Sequence, residues 1–149
     1  MSASYDADCR AISRIKGLYC DIIDRAIRGK EPGDEEKLLA LFTEDAVIDF
    51  SLLNGTTHQG QDAIRKLYFE TFPSATKWQW HSIHTEVIDV DGDKATGRWT
   101  LFAAAIRLAN PDVPPFLTYG RYIDEFVRVG GDWKQSKVFF LKEQQIHPS

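Results

Sequence analysis

Few side chains in this 149-residue chain can do chemistry: four histidines, two cysteines, and a scatter of phenols and guanidinium groups. Metal binding is the first possibility. His81 and His84 lie three apart in a stretch that reads as strand, so they point to opposite faces. No carboxylate or cysteine cluster completes a ligand set around either. Cys9 and Cys20 fall in one expected helix, about 16 Å of rise apart, too far to bridge. No glycine-rich phosphate loop occurs. His58 falls in a turn and His147 in the tail, where exposure is the default. What remains is proton transfer by an imidazole, with Tyr19, Tyr119, Tyr122, Arg107 and Arg121 as polar candidates around it. Taken alone, His81 reads as a satisfied or surface histidine. Asp24 lies almost opposite Ile15 and Ile22 on a helical wheel, and periodicity by itself places it in solvent.

Composition excludes several classes of function. The net charge is −4 and no Lys/Arg block stands out, so nucleic acid finds no basic stripe to displace its counterions. No apolar run approaches the roughly 20 residues needed to span a bilayer. The N-terminus lacks the basic start and apolar core of a signal peptide. With two cysteines far from any metal spacing, the expected compartment is a reducing cytoplasm. Nine Phe, five Tyr and four Trp concentrate in the second half. Such rings fill a core or line a concave site for an apolar ligand.

The elements that must position these groups change character midway. Ile12, Ile15, Leu18, Tyr19, Ile22 and Ala26 form one helical stripe over residues 4–28, ended by Gly29 and Pro32-Gly33. Asp34 suits the N-cap of a second helix, with Leu38, Leu39, Leu41 and Phe42 on its buried side. Residues 46–50 read as a strand, and Asn54-Gly55 as a hairpin-type turn. A third helix opens at Gly60 and closes at Pro73, with Ile64, Leu67, Tyr68 and Phe72 inward. Four long strands follow, at 77–90, 94–107, 116–129 and 133–142, with a loose polar tail beyond. Helices followed by a meander is an α+β pattern in one domain, residues 1–149, with its core at about 10–142. Strands of this length twist and coil, so the sheet curls into a half-open cone that helices can cap.

Seven segments, in this order and spacing, carry a resemblance: Leu18-Tyr19 with Asp24; 38–47; Gly60-Gln61-Asp62-Ala63-Ile64; His81; Val90-Asp91-Gly92-Asp93 with Gly97; Gly120-Arg121-Tyr122-Ile123-Asp124; and Gly131-Asp132-Trp133-Lys134. Together they resemble the SnoaL-like proteins of the NTF2-like superfamily, in the scytalone dehydratase and polyketide cyclase branch. The resemblance implies an NTF2-like cone, with N-terminal helices packed on a strongly curved mixed or antiparallel sheet around a pocket. It implies a dyad of His81 as acid/base and Asp24 as its orienter, acting without metal or cofactor on a small apolar or aromatic-like molecule. A carboxylate fixes an imidazole's orientation and stabilises its protonated form. The expected pocket lining is Tyr19, Phe50, Trp99, Tyr119 and Arg121. A homodimer is expected through the outer sheet face, with Trp78, Trp80 and Trp133 as candidates.

The resemblance has gaps. Where scytalone dehydratase has two water-holding tyrosines, the matching positions are Ile23 and Phe50, neither able to donate. Its second pocket histidine falls in Ala103-Ala104-Ala105, and these alanines widen the pocket for a bulky ligand. The leading expectation is a dehydratase, cyclase or isomerase. The rivals are a binding protein without catalysis and a small subunit of an oxygenase assembly.

Overall fold

The structure, a computed structural model, describes residues 3–149. Helix α1 (Ala3–Arg28) buries Ile12, Tyr19, Ile22 and Ala26 of the stripe its spacing dictates, with Ile15 and Leu18 partly buried, and buries Ile23 beside it. It stops at Gly29, whose φ of 128° favours a residue without Cβ. Helix α2 (Asp34–Leu39) is short. Asp34 is its first residue, and Gly33 takes the capping position. The Asp34 carboxylate instead binds the Arg25 guanidinium at 2.7 and 2.9 Å and accepts the Glu31 N–H at 2.7 Å. Leu41 and Phe42 lie beyond the helix, because strand β1 (Phe42–Phe50) starts four residues before the expected position.

Strand β2 (Thr56–Gln59) returns from the Asn54-Gly55 turn. Then α3 (Gln61–Lys66), a π turn (Leu67–Thr71) and α4 (Phe72–Ala75) run on without a break. Pro73 does not end this segment. It sits just past the junction of the π turn and α4, and the helical segment continues through it to Ala75. Four long strands follow: β3 (Thr76–Asp91), β4 (Lys94–Arg107), β5 (Phe116–Val129) and β6 (Asp132–Ile146). The expected loose tail is therefore strand as far as Ile146, which pairs with Leu117.

The meander is part of a larger sheet. Six strands run in the order β2-β1-β6-β5-β4-β3, with β1 parallel to β6 and every other pair antiparallel. Register shifts interrupt β3 between His84 and Val87, and β6 opposite Gly120 and Phe126. Such bulges sharpen twist. The curled, unclosed sheet cups α1 and the α3–α4 segment, an α+β cone. Strand β5 shows the alternation most clearly: Thr118, Gly120, Tyr122, Asp124 and Phe126 are buried, while Tyr119, Arg121, Ile123 and Glu125 are exposed. Trp133 is buried and donates its indole N–H to Asp8 at 2.9 Å, so it is not a surface candidate for dimer contact. Trp80 is half exposed and Trp78 partly buried.

Candidate active site

The wide end of the cone holds a cavity of about 520 Å³, within the range of small-molecule sites. Its walls come from α1, the α3–α4 segment and the inner faces of β1, β3, β4, β5 and β6. On β3 and β4 the register sets Gln79 opposite Ala105 and His81 opposite Ala103. Small side chains thus lie directly beside the two polar ones. All three alanines of the run 103–105 line the cavity.

His81 is fixed from two directions by one carboxylate. Asp24 Oδ1 lies 2.6 Å from the ring Nδ1, and Oδ2 accepts the His81 backbone N–H at 2.8 Å. A carboxylate there is an acceptor, which puts the ring proton on Nδ1 and leaves the Nε2 lone pair free. Asp24 is buried, with its side chain 8% exposed, despite its position opposite the apolar stripe. Helix α1 is gripped on two flanks, and the second flank, with Cys20 and Ile23, faces the edge strand β3. Gln79 joins the same contact by donating to the Ile23 carbonyl at 3.0 Å.

A second polar group lies where α1 meets the π turn. The hydroxyls of Tyr19 and Tyr68 are hydrogen-bonded to each other, and the Tyr19 ring meets those of Tyr68 and Tyr122 edge-on at 5.6 and 5.8 Å. Burial pushes all three phenols above their ordinary range, so they stay protonated donors. Beneath them lies a fully buried ion pair. Lys16 Nζ is 2.6 Å from Asp124 Oδ2. The ammonium is turned to the ring of Tyr122, 3.4 Å from its centroid, rather than aligned for a hydrogen bond. Burial raises the Asp124 carboxyl, and Lys16 opposes that rise.

Of the expected lining residues, Tyr19 and Phe50 are in the cavity wall and three are not. Trp99 points into the cone, but at its packed narrow end. It is 1% exposed, rests against Phe126, and donates its indole N–H to Glu86 at 2.8 Å. Tyr119 and Arg121 lie on the outer face of β5, where Arg121 approaches Glu143 at 3.9 Å. Tyr122, two residues from Asp124 on the inner face, takes the place expected for them. Tyr68, Phe72, Gln79, Thr118 and Phe140 also line the cavity. Tyr68 was legible as an inward residue, but the π turn that aims it has no sequence signal. Among the described residues no three of His, Cys, Asp or Glu cluster as metal ligands.

The sequence profile of the SnoaL-like domain matches residues 7–138, most of the chain. The chain belongs to the SnoaL-like family. No curated protein matches its sequence. Among solved structures, this SnoaL-like chain is similar to a protein of Novosphingobium aromaticivorans provisionally described as a scytalone dehydratase. The two share 25% identity and a TM-score of 0.80 over 97% of this chain and 90% of that one. It is similar in fold to the hexachlorocyclohexane dehydrochlorinase LinA-type3 of Novosphingobium barchaimii, at 19% identity and TM-score 0.78, over 93% and 88% of the two chains. An NTF2-like superfamily protein of Salmonella enterica shares the fold at 17% identity and TM-score 0.73, over 91% and 90%. In this SnoaL-like cavity Ile23 and Phe50 are apolar lining, so a donor to a ligand oxygen must come from elsewhere in the wall.

Proposed function

We propose that this SnoaL-like protein is a lyase or isomerase, of dehydratase or cyclase type, that moves a proton at carbon beside a carbonyl. The observation that carries this reading is the double contact of Asp24 with His81. It spends both carboxylate oxygens on aligning one imidazole at a cavity wall. In this reading Nε2 of His81 removes the proton, and Asp24 stabilises the imidazolium that forms. The imidazolium then returns the proton to carbon or to a departing hydroxyl. The Tyr19–Tyr68 hydroxyl pair has one proton beyond its mutual bond and donates it to the substrate oxygen as charge builds there. Proton transfer of this kind needs no cofactor. The provisional scytalone dehydratase and the dehydrochlorinase, both named for eliminations, support the lyase class.

The test uses a ketone that fits the cavity. With 2-tetralone in deuterium oxide, the protein is expected to speed deuterium uptake at the carbon next to the carbonyl, and His81→Gln to abolish that gain. Unchanged exchange in His81→Gln would sink the proposal. Binding of 2-tetralone with no acceleration by the unaltered protein would favour a carrier of small molecules.

A further inference from the structure

We propose that the ligand of this cavity is a flat polycyclic carboxylic acid whose carboxylate seats on Arg107 at the mouth. The inference rests on the cavity being the ligand site, as in the proposed function, and adds the chemical class of what enters it.

Charge in the wall is one-sided. No Asp or Glu is among the cavity's lining residues, and Asp24 behind the wall is spent on His81. Arg107 lines the cavity and is exposed, which puts it at the rim. Like Arg10, Arg14, Arg28 and Arg98, Arg107 has no carboxylate within 4.0 Å among the described residues, and of these five it is the one that lines the cavity. The group is nonetheless held. Its guanidinium carbon lies 4.8 Å from the centroid of the Phe116 ring, and that ring stacks on His147. A guanidinium that lies over a ring keeps N–H donors free for two-point binding of a carboxylate.

The sheet supplies a ruler. Ala103, Ala105 and Arg107 alternate along β4 on one face, and Ala103 is the cross-strand partner of His81. Four residues of strand separate the level of His81 from Arg107, about 13 Å. The floor between them is alanine, too short to fill the space. A rigid body of about three fused rings spans that length, with its acid on Arg107 and its far ring beside His81. A cation would find no carboxylate in this wall, and a neutral ligand would leave the guanidinium unused.

Two fluorescent probes of equal shape test this: anthracene-2-carboxylate and anthracene-2-carboxamide, titrated at pH 7.5 and low salt. The unaltered protein is expected to bind the acid about tenfold more tightly, a preference that shrinks with added salt. Arg107→Met, which keeps the aliphatic stem, is expected to bring the acid down to the affinity of the amide and leave the amide unchanged. His81→Gln is expected to keep the preference. Equal binding of both probes, or a preference that survives Arg107→Met, overturns the inference while the cavity and its proton chemistry stand. Binding of neither probe overturns it together with the reading of the cavity. Loss of deuterium exchange without loss of the acid preference leaves it intact.

Discussion

Both oxygens of Asp24 are committed to His81, and an asparagine cannot replace them. Its Oδ1 can still accept the His81 backbone N–H, but its amide nitrogen then donates to ring Nδ1, which moves the ring proton to Nε2 and removes the lone pair that the proton transfer uses. Asp24→Asn is therefore expected to slow the proposed proton transfer about a hundredfold or more. Affinity for 2-tetralone should stay within a fewfold. The rate of deuterium uptake and a binding titration check the two halves separately. The same residue marks where sequence reading stops. A helical wheel sees one neighbour for α1, the sheet beneath its apolar stripe. The second neighbour is β3, and it joins through pairing with β4 far along the chain. Only the family resemblance placed Asp24 inside. Lys16 carried a signal of its own. It is four residues after Ile12 and three before Tyr19, a stripe position at which a cation requires a buried partner.

At the scale of elements, several charged contacts tie α1 to its surroundings, and two of them carry predictions. The Lys16–Asp124 pair joins α1 to β5 with both side chains fully buried. Lys16→Met leaves a buried carboxylate without its cation and is expected to cost about 3–5 kcal/mol in urea unfolding. The double variant Lys16→Met with Asp124→Leu removes both charges and should recover most of that loss. The Arg25–Asp34 contact ties α1 to α2, and Arg25 holds the Asp34 carboxyl below its ordinary range. A lowered folded value means stability that is full above the unfolded carboxylate value of about 3.9 and is lost as pH falls through the folded value. Asp34→Asn is thus expected to cost about 1–2 kcal/mol at neutral pH. That difference should fade below about pH 4, as read from unfolding curves at several pH values. The ion pair also explains why β5 was ambiguous in sequence. Alternation puts Tyr119 with Arg121 and Tyr122 with Asp124, but two faces look alike until one is claimed. Lys16 claims Asp124, so Tyr122 turns inward and Tyr119 and Arg121 turn to solvent.

The whole molecule is a cone packed at one end and hollow at the other. Trp99 illustrates the packed end, where it lies close to Gly97. Helices first and long strands after were legible because hydrophobic period and strand length survive in a single sequence. The mixed sheet was not, because β1 reads as an isolated short strand until β6 lies alongside it. The hollow end follows from the three alanines, whose small size is visible in sequence but whose neighbours are not. Ala105→Leu adds volume to empty space rather than to a packed core. It is expected to leave the unfolding midpoint unchanged or slightly higher, and to weaken anthracene-2-carboxylate binding at least tenfold. Thermal unfolding and the fluorescence titration read these two effects.

The parallel seam between β1 and β6 joins residues about ninety positions apart, Ile48 beside Val138 among them. A chain leaving the ribosome carries β1 with one flank bare until β6 has been made. The hollow is therefore completed only once β6 has emerged and paired. A product cut short before Asp132 presents an unpaired edge rich in Val, Ile and Phe, the kind of edge that draws other chains into aggregates.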